Sequence, residues 1–141
     1  MKMKKILIIC TANKTRSVMA MEIANSIALK SGAPYAFESA GIALVGGGAD
    51  ENVNRALSEI GLRTSRAPVS VNDVDMETFD AFHVMNRRQK VTLCSYFKNL
   101  DIADKITTLN IYDPFSKGLS AYRECRDKLL SFYEDFITNG R

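Results

Sequence analysis

Lys5-Ile-Leu-Ile-Ile-Cys10, then Thr11-Ala-Asn-Lys-Thr15, then Arg16-Ser17, is the stretch on which the fold turns. The first piece is a short unbroken apolar run, the pattern of a strand buried on both faces of a parallel sheet. The second is polar and too short for an element of its own. From Arg16, the residues Val18, Met19, Met21, Ile23, Ala24, Ile27 and Ala28 recur at helical spacing, and Gly32 supplies a stop. The spacing predicts strand, tight loop, and a helix over about 16–30.

The rest of the chain repeats the alternation. A short strand is expected over Tyr35–Ser39, broken by Gly41, and 43–48 reads as a flexible connector. Asp50 is placed to cap a helix bearing Val53, Ala56, Leu57 and Ile60, stopped at Gly61. A third strand is expected over Phe79–Met85, with a helix from about Asn86, and a fourth near Lys105–Leu109. The last helix sets Tyr122, Cys125, Leu129, Phe132, Tyr133 and Phe136 at helical spacing. Strands alternating with helices imply an α/β domain with a mainly parallel sheet, and ligands in such domains bind at the carboxyl ends of strands. Cys10 ends one.

Bulk properties narrow the function. A chain of 141 residues, 46% hydrophobic and 25% charged, is expected to be one soluble domain spanning 1–141. The apolar run before Cys10 is too short to span a bilayer, so no membrane partner is expected. An odd count of three cysteines without export signals points to the cytoplasm. The net charge of +3 is mild, and its densest cluster, Met1–Lys5, reads as a solvated lead-in rather than a nucleic-acid arm. No cysteine–histidine spacing suits a metal, and Gly46–Gly48 lacks the strand-then-helix setting of a dinucleotide loop. No cofactor is expected.

The chemistry lies in the Cys-x5-Arg-Ser spacing of Cys10, Arg16 and Ser17. A loop joining strand to helix can curl its backbone N–H groups around one anion, a phosphate or sulfate, through Thr11, Ala12, Asn13, Lys14 and Thr15. The helix start adds roughly half a positive charge, which favours both the anion and a thiolate at Cys10. Arg16 offers a planar fork for two phosphate oxygens, and Ser17 a hydroxyl for the sulfur. Asp113-Pro114 follows the last strand, which sets it at the same sheet edge if that strand runs parallel, and is placed to protonate a leaving oxygen. Phe115, beside it, is a candidate wall for the substrate. The competing reading of Cys10 is a buried strand-end cysteine; the arginine offset and the helix start favour the nucleophile. Cys94, Cys125 and His83 read as core residues.

These pieces, Cys10–Ser17, Ser39-Ala40-Gly41, Asp113-Pro114-Phe115 and Tyr122-Arg123, together resemble the low-molecular-weight protein tyrosine phosphatase family over essentially the whole chain. The resemblance implies a three-layer α/β/α fold with a four-stranded parallel sheet, and metal-free hydrolysis through a cysteinyl phosphate. Cys10 is then the nucleophile, Arg16 the phosphate clamp and Asp113 the acid and base, with a phosphotyrosine protein or peptide as partner. It also implies that Asn13 and Ser39 brace the loop through hydrogen bonds. Ala12 stands where the family usually has glycine, Thr15 where it commonly has a second cysteine, Val18 at a usual proline, and Ala67 near a bracing histidine. Three alternatives stay open: phosphoarginine hydrolysis, disfavoured by the positive charge of Lys14 at the rim; arsenate reduction, disfavoured because Cys94 and Cys125 form no close pair; and a phosphate-binding module without turnover.

Overall fold

The computed structural model describes residues 2–47 and 50–140. Met1 of the expected lead-in and Gly48 of the expected connector lie outside them. The elements alternate as the hydrophobic pattern requires: β1 Lys4–Cys10, α1 Arg16–Ser31, β2 Tyr35–Gly41, α2 Glu51–Ser58, β3 Ala81–Val84, α3 Arg87–Tyr96, β4 Ile106–Thr108 and α4 Leu119–Asn139. Three short 3₁₀ turns fill connections, at Val71–Asp73, Met76–Thr78 and Ala103–Lys105.

The strands form one four-stranded sheet in the order β2-β1-β3-β4, every pairing parallel. β1 is central because its whole second half is apolar and buried. Period-2 alternation sends Ile6, Ile8 and Cys10 to one face, against α1 and α4. Leu7 and Ile9 go to the other, with Val71, Met76, Phe79, Phe82, Val84 and Leu93. The result is the expected layered α/β arrangement. It brings the carboxyl ends of all four strands to one edge, with the order reversing between β1 and its two neighbours.

Local chemistry sets the boundaries. Gly32 ends α1 in the left-handed conformation, its N–H bonding back to Leu29 and Ala28 carbonyls. Asp50 caps α2 by accepting from Asn52 N–H at 3.0 Å, and Asn86 caps α3 by accepting from Gln89 N–H at 2.9 Å. Two expectations shift. Gly41 does not break β2 but is its last paired residue, opposite Cys10. The third strand is shorter than 79–85, because Phe79 N–H closes the 3₁₀ turn onto Met76 O and the Asp80 carboxylate accepts Lys5 N–H at 2.8 Å. Among the described residues no helix is long and apolar enough to cross a membrane.

Candidate active site

β1 delivers Cys10 to the sheet edge, 3% exposed, and α1 begins six residues later at Arg16, 6% exposed. Between them the loop turns on Asn13, whose φ of +56° is left-handed. Asparagine tolerates that conformation better than most residues. Ala12 has no positive φ, so the expected cost of losing a glycine there does not arise. α1 opens at Thr15 without a side-chain cap. Among the described residues the N–H groups of Ala12, Asn13, Lys14 and Thr15 make no hydrogen bond within the protein. The loop therefore keeps a run of unspent donors where the helix dipole is positive.

Side chains lock this geometry from beneath. Cys10 Sγ lies 2.9 Å from Ser17 Oγ, and Asn13 Nδ2 donates to the same Ser17 oxygen at 2.8 Å. An amide nitrogen can only donate, so Ser17 accepts from Asn13 and its own proton is free for the sulfur. Asn13 Oδ1 accepts from Val69 N–H at 2.9 Å, tying the loop to the 64–70 segment. In this chain, with alanine at 67, main chain at Val69 holds the loop through Asn13.

Ser39 departs from expectation. Its hydroxyl is fully buried and has no hydrogen-bond partner among the described residues, so it does not brace the loop. Asn13, the other expected brace, does hold the loop, giving Nδ2 to Ser17 and Oδ1 to Val69.

Arg16 and Asp113 meet at the loop's other wall. Arg16 Nη1 donates to Ile111 O at 2.9 Å, and Nη2 lies 3.9 Å from Asp113 Oδ2. Asp113 Oδ1 accepts Phe115 N–H at 3.1 Å, which holds the carboxylate at the start of its turn, while the side chain stays half exposed. Phe115 and Tyr112 flank it, 63% and 82% exposed, and Leu44 and Val45 expose apolar surface on the 42–47 loop. Thr11 is exposed, and Lys14 is half-buried with Nζ 3.2 Å from where a Cβ on Gly47 would stand. Lys14 therefore lies toward the 42–47 loop.

The other singled-out residues lie elsewhere. Cys125 is buried behind Asp113 and Ile111, its thiol pushed up to about 12 chiefly by burial. Cys94 is half-buried on α3 rather than fully within the core. His83 is 1% exposed in mid-strand, Nδ1 sharing a hydrogen bond of 2.8 Å with Tyr133 OH; burial lowers it to about 4.

Two supporting residues escaped the sequence reading. Gln89, on α3, donates from Nε2 to Thr11 Oγ1 at 3.2 Å and accepts Met85 N–H on Oε1 at 2.7 Å. No local pattern marks such a contact. Gly41 had a visible signal, its place after Ser39-Ala40, but not its reason. A Cβ there would stand 2.9 Å from Thr11 O and 3.0 Å from both Ala12 C and Asn13 Cβ, so only glycine lets β2 end against the loop.

Comparison with known proteins agrees with this geometry. A family model described as low molecular weight phosphotyrosine protein phosphatase matches residues 5–139. A protein-arginine-phosphatase of Bacillus subtilis (strain 168) is 30% identical over 134 residues, covering 88% of each chain. A low molecular weight protein tyrosine phosphatase from T. tengcongensis superposes with a TM-score of 0.89 at 25% identity, covering 96% of this chain and 98% of that one. The structure of a YwlE arginine phosphatase variant with a phosphorylated active-site serine gives a TM-score of 0.89 at 26% identity, covering 95% and 93%. The chain belongs to the low molecular weight phosphotyrosine protein phosphatase family and is a cysteine-dependent phosphatase.

Proposed function

We propose that the chain hydrolyses phosphate monoesters on protein tyrosine in two displacements at Cys10. The observation that carries this is the convergence of Cys10, Ser17 and Arg16 on one loop, with Asp113 at 3.9 Å from the guanidinium. In the first step Cys10 sulfur bonds to phosphorus while the phosphorus–oxygen bond to tyrosine breaks, and the departing oxygen takes the proton of Asp113. Arg16 and the unspent loop N–H groups hold the non-bridging oxygens as charge redistributes. In the second step the Asp113 carboxylate takes a proton from water as the water oxygen attacks phosphorus. Phosphate leaves, and the Ser17 hydroxyl stabilises the departing sulfur anion. The relative bearing a phosphorylated serine in its active site supports a covalent intermediate.

Phosphotyrosine suits the walls: the sulfur lies deep, the flanking Tyr112 and Phe115 are exposed, and Lys14 adds positive charge. A second reading, phosphoarginine on protein, is favoured by the 30% identical relative. A lysine at position 14 opposes it, since its positive charge repels a guanidinium held in the same loop.

The test is steady-state hydrolysis of p-nitrophenyl phosphate by wild type, Cys10→Ser and Asp113→Asn, followed by matched phosphotyrosine and phosphoarginine peptides. We expect no turnover from the first variant and roughly a 100-fold lower kcat from the second. Higher kcat/KM on phosphoarginine would reverse the substrate assignment. A wild type that binds phosphate but turns over nothing would be a binding module.

A further inference from the structure

Because β1, β3 and β4 are parallel neighbours, α3 opens at the same edge at which Cys10 ends β1. Its first residues are Arg87-Arg88-Gln89-Lys90. Gln89 turns inward to Thr11 of the phosphate loop. Arg87 and Lys90 turn to an open groove, whose other lining is Val91, Cys94, Thr108 and Asn110. Asn110 directly precedes Ile111, whose carbonyl receives Arg16. The groove therefore lies one residue along the chain from the carbonyl that anchors Arg16.

Its charge is unexplained by the fold. Among the described residues Arg87, Arg88 and Lys90 make no ion pair, and neither do Lys2, Lys4, Lys14, Lys30, Arg63, Lys98, Lys105 and Lys117; what sets the three apart is that they cluster at one helix start. No acidic side chain lines the groove, and α3 has none in its first turn. Cations at a helix start are disfavoured by the helix dipole, so these residues act against the stability of α3. Val91, 60% exposed, adds one apolar side chain to the same lining. Clustered cations with no acid beside them, close in the chain to a phosphoester site, match a chain with carboxylates along an extended backbone.

We propose that the groove between α3 and the end of β4 binds an acidic stretch of the phosphoprotein substrate, flanking the phosphorylated residue held by Cys10–Ser17. This rests on the phosphatase reading above. Arg87 presents its fork to a carboxylate, Lys90 a second positive charge, and Val91 packs against the methylenes of the same side chains.

The experiment compares wild type with the double variant Arg87→Glu/Lys90→Glu on three substrates: p-nitrophenyl phosphate, a phosphopeptide with Asp/Glu flanks, and the same peptide with Ser/Gly flanks. We expect kcat/KM to fall about 10-fold on the acidic peptide, mainly through KM, and less than about two-fold on the other two. The loss should shrink in high salt. The variant should melt no lower than wild type, because a helix start prefers glutamate to arginine. A neutral Arg87→Gln/Lys90→Gln variant should fall between. An unchanged KM for the acidic peptide, or an equal loss on all three substrates, would overturn the proposal. Fluorescence anisotropy of the two peptides on Cys10→Ser protein reads the flank preference without turnover, so failure of the phosphatase reading and failure of the groove are separate outcomes. A short single-stranded oligonucleotide competing as well as the acidic peptide would also overturn it, in favour of nucleic acid.

Discussion

Asn13 does three jobs within the phosphate loop: it carries the left-handed turn, donates to Ser17 and accepts from Val69. The spacing of Cys10, Arg16 and Ser17 was legible in the sequence because strand, loop and helix start each leave a local pattern. The brace was not. Whether Ser39 or main chain at Val69 satisfies an amide depends on how segments remote in sequence approach, and no periodicity records that. Gly41 belongs to the same class, visible as a glycine but not as a contact. Its φ is not positive, so its necessity is steric. Gly41→Ala should push the loop backbone from its place, costing about 1–3 kcal/mol of stability and at least about 10-fold in kcat/KM on p-nitrophenyl phosphate. Urea unfolding and steady-state kinetics on one preparation check this; wild-type kinetics would show that the loop tolerates the methyl group.

At the scale of elements, the four strands and the helices were readable because apolar runs of length suited to parallel strands alternate with 3.6-residue patterns. What stayed hidden is how α2 and α4 hold each other near the site. Tyr122, 1% exposed on α4, donates to Asp50 Oδ2 at 2.6 Å, while Asp50 Oδ1 caps α2. Farther along, Glu59 accepts from Arg123 and Arg126, hydrogen bonds that draw its carboxyl down to about 2. Helical spacing puts Tyr122 on the last helix; its burial and its bond to Asp50 make it a joint between helices. The hydroxyl also sits in a dry environment beside a carboxylate, which raises its pKa well above the usual tyrosine range. Tyr122→Phe keeps the ring and removes the joint, leaving the Asp50 oxygen with one partner fewer. We expect a loss of about 1–3 kcal/mol in urea unfolding. If stability is unchanged, the bond between Tyr122 and Asp50 contributes nothing net.

Across the whole molecule, the two apolar layers divide the sheet, and His83 is buried in mid-strand, 1% exposed. It lies between Ile8 and Thr107 in the ladder, bonded to Tyr133 OH and edge-on to Phe132 and Phe136. Burial lowers its pKa from 6.5 to about 4. The folded protein thus keeps His83 neutral where an unfolded chain would protonate it. Between pH 6.5 and 4 the unfolded state binds one more proton, so stability must fall as pH falls through that window. It is full above the window and has lost its histidine share below it. At about 1.4 kcal/mol per pH unit, the loss approaches about 3 kcal/mol. Glu59 adds its own acid sensitivity lower down, so the histidine share is the difference between wild type and His83→Gln. The variant starts less stable, because its amide cannot fill the aromatic cage, but its unfolding free energy should change less from pH 6.5 to 4.5. Urea midpoints at three pH values in that interval decide the matter: parallel slopes for the two proteins would mean that His83 is not held neutral by the core.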